Sequence, residues 1–388
     1  MRSRVLTLTA FGGAVCLALP AFGAGVTVYR NDDGKYVKMG GRLQIQYHRA
    51  DPDRGDATDE VFFRRLRPYI EGSAHKNWKG KFQWDMGKAE GENEVAIKDA
   101  YLQYKGLKGL KITLGNQNFP FSREFLTSSK YQELVERTFV GDHNYGTPDR
   151  NVSLTVHGLA LGKKFEWAVA AGAAEIDPDA KKLDFDTPVN RNEDFNQGWM
   201  FGGRAEFHPL GYLKKSQGDF AREPKATIGV AAFLWSNDDD NNAYTDDSGA
   251  DASSGKKPDV SRVTGFEVSG AVRGGGISVD AEYNRFHAET VDDAVSAGLY
   301  ENGETDLWSF AVEGGVMVLP GVLEAVAGYQ IQDADGYDQA WTRTSLGLNW
   351  FLKKHDIKLQ ATYRLGQDLN GKDGADEDEL FVQAQYVF

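Results

Sequence analysis

The chain has 388 residues with 44 Lys and Arg against 57 Asp and Glu, and its net charge of −13 argues against a nucleic-acid binder with a basic surface. Its only cysteine is Cys16, which excludes a disulfide scaffold, a cysteine-ligated zinc site and a thiol nucleophile. Beyond the first two dozen residues no stretch approaches the roughly 20 apolar residues of a membrane-spanning helix, whereas a membrane-spanning strand needs only about 9–11 alternating residues.

The N-terminus has the pattern of a secretory signal peptide. Two arginines within the first four residues precede an apolar stretch over residues 5–19, and small residues come just before Ala24. We therefore predict a signal peptide over residues 1–23 and a single mature domain over residues 24–388, with a net charge of −15 and no cysteine. An acidic exported chain without cysteine is typical of the outer membrane, the periplasm or the medium of a Gram-negative bacterium.

Alternation of apolar and polar residues with period two runs from end to end of the mature chain and predicts an all-β protein. Residues 37–48 and residues 379–388 show it at the two termini. Counting such segments predicts about sixteen strands of about 10 residues each. Short connections alternate with long acidic ones, as in an up-and-down meander with both termini at the short-turn end. The connection over residues 208–224 is too long for a short turn, and the sequence offers no reason for it.

The alternation alone does not say which face of the sheet is inside. Aromatic residues near strand ends, such as Tyr47, Trp199 and Trp350, are typical of interfacial girdles, and the polar face carries long charged side chains that a water-filled lumen tolerates. The chain also ends at Phe388, with no tail beyond the last strand. We predict a transmembrane antiparallel β-barrel with short periplasmic turns and long extracellular loops; the alternative is aromatic core packing in a secreted β-protein.

The polar face carries equal numbers of basic and acidic residues, eleven of each. The bases concentrate in the first two strands and around residues 343–364, and the acids over residues 267–324, so opposed walls of unlike sign would sort polar solutes across the pore. Ordinary solvation and ion pairs between strands are the alternative for any single residue. The basic residues proposed for the pathway from this face are Lys38, Arg42, Arg65, Arg67, Lys81, Arg343, Lys358 and Arg364.

The third long connection, residues 118–150, has about thirty residues and no strand pattern of its own, which is unusual unless the segment is functional. It carries Arg123, Lys130 and Arg137. Folded into a wide lumen, it would narrow the passage and place these charges where solutes lose water, and positive side chains there favour phosphate-like anions. An exposed cap loop is the alternative.

Several motifs resemble the phosphate-selective porin O/P family: Phe-Arg-Arg-Leu-Arg at residues 63–67, residues 97–104, residues 114–121, and Thr-Ser-Ser-Lys-Tyr at residues 127–131. The resemblance implies a sixteen-stranded, usually trimeric outer-membrane channel with an inward third loop, in which inward arginines and a basic cluster at the constriction select anions. It assigns the wall positions to Arg65 and Arg67, and the loop positions to Arg123 and Lys130. Arg64 falls on the opposite phase, so it lies either at a bulge or in the interface region.

Three functions remain open on the sequence alone. The first is a channel for small hydrophilic solutes, preferring inorganic anions such as phosphate. The second is a general, cation-preferring or sugar porin, which the acidic net charge and acidic loops favour. The third is an outer-membrane barrel enzyme or adhesin. Histidines are scattered singly and nucleotide-binding or hydrolase motifs do not occur, so we expect no enzyme activity, cofactor or specific metal site. The expected partners are outer-membrane lipid, lipopolysaccharide and two further copies of the chain.

Overall fold

The computed structural model describes residues 25–87, 95–177, 179–186, 196–237 and 258–388. The predicted signal peptide, residues 1–23, and most of the acidic connection after residue 236 lie outside these described residues. The one α-helix of the described part, α1, spans Arg123–Leu126, and 3-10 turns lie at Ser129–Tyr131, Phe139–Gly141, Leu161–Lys163 and Leu369–Gly371. None of the described helices has the length and apolarity that crossing a membrane requires.

Most of the described residues lie in twenty β-strands of one sheet. In chain order the strands are β1 Val26–Arg30, β2 Tyr36–Gly40, β3 Arg42–Pro52, β4 Thr58–Leu66, β5 Tyr69–Ser73, β6 Trp78–Asp85, β7 Ala96–Tyr104, β8 Leu110–Asn118, β9 Arg150–Ala160, β10 Phe165–Asp177, β11 Asp184–Asp186, β12 Asn196–Phe207, β13 Lys225–Ser236, β14 Val260–Gly274, β15 Ile277–Thr290, β16 Glu304–Leu319, β17 Leu323–Asp333, β18 Trp341–Lys353, β19 Ile357–Gln367 and β20 Glu377–Val387.

The strands form an antiparallel meander that closes on itself. From β5 to β10 and from β12 to β20 each strand pairs with the next, and β10 pairs with β12. The last strand, β20, pairs with β3 from Glu377 opposite Pro52 to Val387 opposite Arg42. The prediction of an all-β antiparallel barrel with meander topology is therefore confirmed.

The predicted count of about sixteen strands is wrong, since the described residues contain twenty. Two predicted strands are each divided in two. One division falls after Gly40, where a Cβ would come within 2.7 Å of the carbonyl oxygen of Phe388. The other falls at Pro68, which has no N–H to donate to a sheet ladder. The remaining two strands are short additions: β1 pairs with β2, and the three-residue β11 pairs with the far end of β10.

Burial along the strands assigns the two faces of the sheet. In β19 the polar Lys358 is 0% exposed, whereas its neighbour Leu359 is 42% exposed, and the same alternation continues to the end of the strand. Exposed Leu, Val, Phe, Trp and Tyr side chains follow the outer face of nearly every long strand. This is the reverse of a soluble barrel, and it confirms the prediction that the apolar face points outward.

The connection between β8 and β9, residues 119–149, lies against the inner face of the sheet. Phe119 and Phe121 begin it and pack against Phe233 of β13, with ring centroids 6.3 and 5.0 Å away. Further along, the side chain of Asn349 in β18 donates to the carbonyl oxygen of Glu133 at 2.9 Å. The segment therefore crosses from the β13 wall to the β18 wall, and it fills the β12–β17 side of the interior.

Candidate ion pathway

A cavity of about 1230 Å³ lies on the opposite side of the interior, between residues 118–150 and the inner faces of β2–β9 and β18–β20. The β-strands project alternate side chains into it, and polar groups dominate these positions because the apolar ones face outward. Its lining contains thirteen Lys and Arg residues against eight Asp and Glu residues. Lys and Arg therefore exceed Asp and Glu by five in this lining, although the whole chain is acidic.

Nine of the eleven residues proposed from the sequence line this cavity: Lys38, Arg42, Arg65, Arg67, Lys81, Lys130, Arg137, Arg343 and Arg364. The other two, Arg123 and Lys358, lie elsewhere. The Arg123 guanidinium is 3.1 Å from the Glu206 carboxylate and 3.3 Å from the Asp280 carboxylate. The Lys358 ammonium donates to the carbonyl oxygen of Gln132 at 2.7 Å. Both side chains therefore hold the third connection against the wall instead of facing the open space.

Arg64 also lines the cavity, and a β-bulge explains its orientation. Gln44 of β3 is opposite Arg65 while Ile45 is opposite Phe63, so Arg64 is an extra residue in β4. Its Nε and Nη2 donate to the two carboxylate oxygens of Glu136 at 2.7 and 3.0 Å. Of the two alternatives that the sequence allows for Arg64, the structure shows the bulge. A regular alternation of period two cannot predict the inward orientation of this side chain, because the bulge adds one residue to the strand.

Ion pairs along the wall neutralise part of the basic charge. These ion pairs include Arg67–Asp85 at 2.5 Å, Lys81–Asp99 at 2.5 Å, Arg150–Asp99 at 3.0 Å, Lys98–Asp149 at 3.7 Å and Arg364–Glu379 at 3.3 Å. Because these carboxylates already have basic partners, they repel an entering anion less than isolated carboxylates would.

Three guanidinium groups at the cavity, those of Arg42, Arg137 and Arg343, have no carboxylate of the described part of the chain within ion-pair distance. Arg42 donates to the Ser129 hydroxyl at 2.8 Å. Arg137 donates to main-chain carbonyl oxygens of the third connection at 2.5 to 3.2 Å. Arg343 lies over the Phe139 ring at 4.5 Å. Neutral partners orient these side chains and leave them able to donate to an anion.

Two ionisable groups of the third connection have pKa values that fix their charge at neutral pH. Burial opposes the charged form of Glu136, but the guanidinium groups of Arg64 and Arg65 outweigh it and lower the pKa of Glu136 to about 2. Burial also opposes protonation of His143, but the Asp184 carboxylate, 2.6 Å from Nδ1, raises the pKa of His143 to about 10. Glu136 is therefore an anion and His143 a cation, and both line the cavity.

The acidic wall expected over residues 267–324 does not face this open space. Glu267, Glu282, Glu313 and Glu324 are buried, and the third connection lies over them. The backbone N–H of Glu124, for example, donates to the Glu282 carboxylate at 2.9 Å. The expected field between opposed basic and acidic walls is consequently replaced by one dominated by the basic wall. An equal count of charges along the sequence cannot show this, because it does not tell which charges are covered.

Comparison with known proteins agrees with this architecture. The family described as phosphate-selective porin O and P matches residues 37–388. Porin O of Pseudomonas aeruginosa is 32% identical over 117 residues, which span 29% of this chain and 27% of that protein. The anion-selective porin from Comamonas acidovorans superposes with a TM-score of 0.61 at 13% identity, covering 91% of this chain and 100% of that one. OmpT of Vibrio cholerae in its trimer form gives 0.56 at 14% identity, covering 92% and 100%. The two structural likenesses establish the fold, and the match over residues 37–388 shows that the chain belongs to the phosphate-selective porin O and P family.

Proposed function

We propose that this protein is an outer-membrane channel for passive diffusion of small hydrophilic solutes, and that it prefers inorganic anions such as phosphate. The observation that carries this proposal is the excess of five Lys and Arg residues over Asp and Glu residues in the lining of the cavity. In a narrow passage with low-dielectric walls, such an excess lowers the energy of an entering anion and raises that of a cation. Family membership supports the same conclusion, because the family is described as phosphate-selective.

The proposed constriction lies where the third connection faces β3 and β4. Arg42, Arg65, Lys130 and Arg137 all line the cavity there, with Arg42 bonded to Ser129 of the connection. Guanidinium groups offer several N–H donors in a fixed plane, which suits the oxygens of phosphate as it loses water. We assign anion binding to these four residues and a supporting field to Lys38, Lys81, Arg343 and Arg364.

We further propose export through residues 1–23, insertion in the outer membrane and assembly as a homotrimer. The apolar outer face supports contact with lipid and lipopolysaccharide, and the trimer form of OmpT from Vibrio cholerae, which shares the fold, supports the assembly. N-terminal sequencing of the exported protein is expected to begin at Ala24. Cross-linking in native membranes is expected to give a trimer.

The sign of selectivity is tested by reversal potentials of single channels in planar bilayers across a KCl gradient. We expect a potential that reports chloride moving more easily than potassium. A potential that reports cation preference would refute the anion proposal and favour the cation-preferring or sugar porin on the same scaffold. Absence of any conductance from correctly folded protein would favour the enzyme or adhesin.

The site is tested by phosphate block of the chloride current. We expect added phosphate to reduce the chloride current of the wild type, and Lys130→Ala to weaken this block by about tenfold, which corresponds to the roughly 1.4 kcal/mol of one charge-assisted contact. Lys108→Ala is the matched control, because it removes the same charge from an exposed turn outside the cavity. Equal block in both variants would remove Lys130 from the proposed site.

A further inference from the structure

The long connection between β12 and β13, residues 208–224, places side chains over an acidic pair at the short-turn end of the barrel. Glu166 of β10 and Glu206 of β12 are direct partners in the antiparallel register, so their carboxylates face each other on the inner side of the sheet. Like charges directly opposite one another destabilise a sheet. A cation between the two carboxylates removes this repulsion.

In this structure the cation is the ammonium group of Lys215, from the same long connection. It lies 3.0 Å from Glu166 Oε1 and also contacts the Glu206 carboxylate. His157 of β9 adds a ring nitrogen 3.0 Å from Glu166 Oε1. The connection that has no explanation in the sequence thus supplies a cation shared by both carboxylates, while Glu206 Oε1 also accepts from Arg123 and Arg204 at 3.1 Å each.

His208 is not accounted for by this pairing. The residue is 0% exposed, and neither ring nitrogen has a hydrogen-bond partner among the described residues. Its Nε2 points toward Glu166 Oε2 at 3.8 Å, which is too long for a hydrogen bond. The Tyr212 ring packs edge-on against the imidazole, with centroids 5.0 Å apart, so the ring is held in place. A fixed, buried imidazole with unused nitrogens beside two carboxylates is the donor set of a metal site.

We propose that Glu166, Glu206 and His208 bind a divalent transition-metal ion, with Zn²⁺ as the representative. One ligand atom from each of the three residues already lies within 4.8 Å of the other two. Tetrahedral zinc holds nitrogen and oxygen ligands at about 2.0–2.2 Å, which puts the ligand atoms about 3.3–3.6 Å apart. Small side-chain rotations therefore close the site, and the ion takes the place of the Lys215 ammonium. His157 bonds the Glu166 carboxylate from outside and orients it.

The ion would also stabilise the position of the third connection, because residues 208–224 form hydrogen bonds with that connection. The Glu133 N–H donates to Gln217 Oε1 at 2.6 Å, and the Gln217 N–H donates to the Tyr131 carbonyl oxygen at 3.0 Å. A metal ion that holds His208 to the wall therefore stabilises the segment on which this end of the third connection rests.

The test is a zinc titration of the folded mature protein in detergent after removal of metals with a chelator. We expect one Zn²⁺ per chain, by competition with a chromophoric chelator and by elemental analysis. His208→Ala and Glu166→Gln are expected to weaken binding by at least about tenfold. Lys215→Met is expected to tighten it, because the competing ammonium is gone. Circular dichroism establishes that each variant retains its β-structure.

The matched control is His48→Ala. His48 pairs with Glu379 at 3.1 Å but belongs to no group of three possible ligands among the described residues, so its loss should leave zinc binding unchanged. Absence of stoichiometric zinc in the wild type overturns the proposal. So does zinc binding that persists undiminished in both His208→Ala and Glu166→Gln, since the ion would then bind elsewhere. Weaker binding in Lys215→Met would also count against it, because the lysine would then be part of the site.

Discussion

The third connection is anchored inside the barrel by aromatic packing, and Phe121→Ala tests how strongly. The Phe121 ring is 0% exposed and lies 5.0 Å from the ring of Phe233 and 5.7 Å from that of Phe286, measured between centroids. Truncating a buried phenylalanine to alanine costs about 3–5 kcal/mol, from lost burial and the cavity left behind. If this cost falls on docking of the segment, the population of its undocked state rises by about a hundredfold or more, at 1.4 kcal/mol per tenfold.

The segment is not expected to detach completely in this variant. The Phe121 carbonyl oxygen still accepts a bond from Arg204 at 2.5 Å, and Arg123 still pairs with Glu206 and Asp280. We therefore expect a functional channel with added current noise and brief states of higher conductance. Trypsin is expected to cleave the segment faster, because undocking exposes its basic residues.

Single-channel recording and limited proteolysis measure the two effects. Phe201→Ala is the matched control, since Phe201 is 54% exposed on the outer face of β12 and its loss leaves the interior unchanged. The reasoning is refuted if Phe121→Ala and Phe201→Ala show the same current noise and the same cleavage rate as the wild type. In that case the aromatic contacts would add nothing to docking beyond the ion pairs.

Three other perturbations have expected outcomes that follow from single contacts. Glu136→Gln removes the anionic partner of Arg64, so the chloride-to-potassium permeability ratio from reversal potentials should rise. Urea unfolding should show a free energy of unfolding lower by about 1–3 kcal/mol. An unchanged permeability ratio would contradict this reasoning. Asp184 raises the pKa of His143 to about 10, so the protonated imidazole stabilises the folded state fully below its ordinary pKa of 6.5. This contribution is lost as the pH rises through 10. His143→Gln should therefore lower the free energy of unfolding at pH 6 more than at pH 11. Leu348→Arg places a charge on the outer face, where Leu348 is 54% exposed, and should cost about 2–4 kcal/mol in lipid bilayers, whereas Leu348→Ala should cost clearly less.

Much of the fold could be predicted because a strand repeats every two residues and a membrane barrel reverses the usual arrangement of its faces. The alternation through residues 357–365, for example, gives both the strand β19 and its outward apolar side. The strand count failed at positions where one residue interrupts an otherwise regular ladder. Pro68 interrupts it through a missing donor, and Gly40 through the close approach of the chain end at Phe388. Such interruptions depend on partners far away in the sequence, which periodicity does not include.

The residues of the site could be predicted about as well as the strands. The predictions that were wrong have a related physical reason. Residues on the inward phase, such as Arg343 and Arg364, reach the cavity because their strands are regular there. The alternation leaves two alternatives for Arg64, because a bulge shifts the phase by one residue. Lys358 is on the correct face, but the third connection covers it, and its ammonium bonds to that segment. A face assignment thus predicts which side chains point inward, while the packing of residues 118–150 decides which of them meet solvent.

That distinction also underlies the anion selectivity that we propose. A net charge of −13 points to a cation channel, yet salt screens charges beyond about 8–10 Å, so charges far from the passage act weakly on a solute inside it. The charges that act are those lining the narrow space, and there basic residues exceed acidic ones by five. The acids that would restore the balance, such as Glu267 and Glu313, are buried beneath the third connection. Docking of one segment therefore converts a wall with equal numbers of both charges into a positive passage, so displacing that segment should weaken anion preference as well as widen the channel.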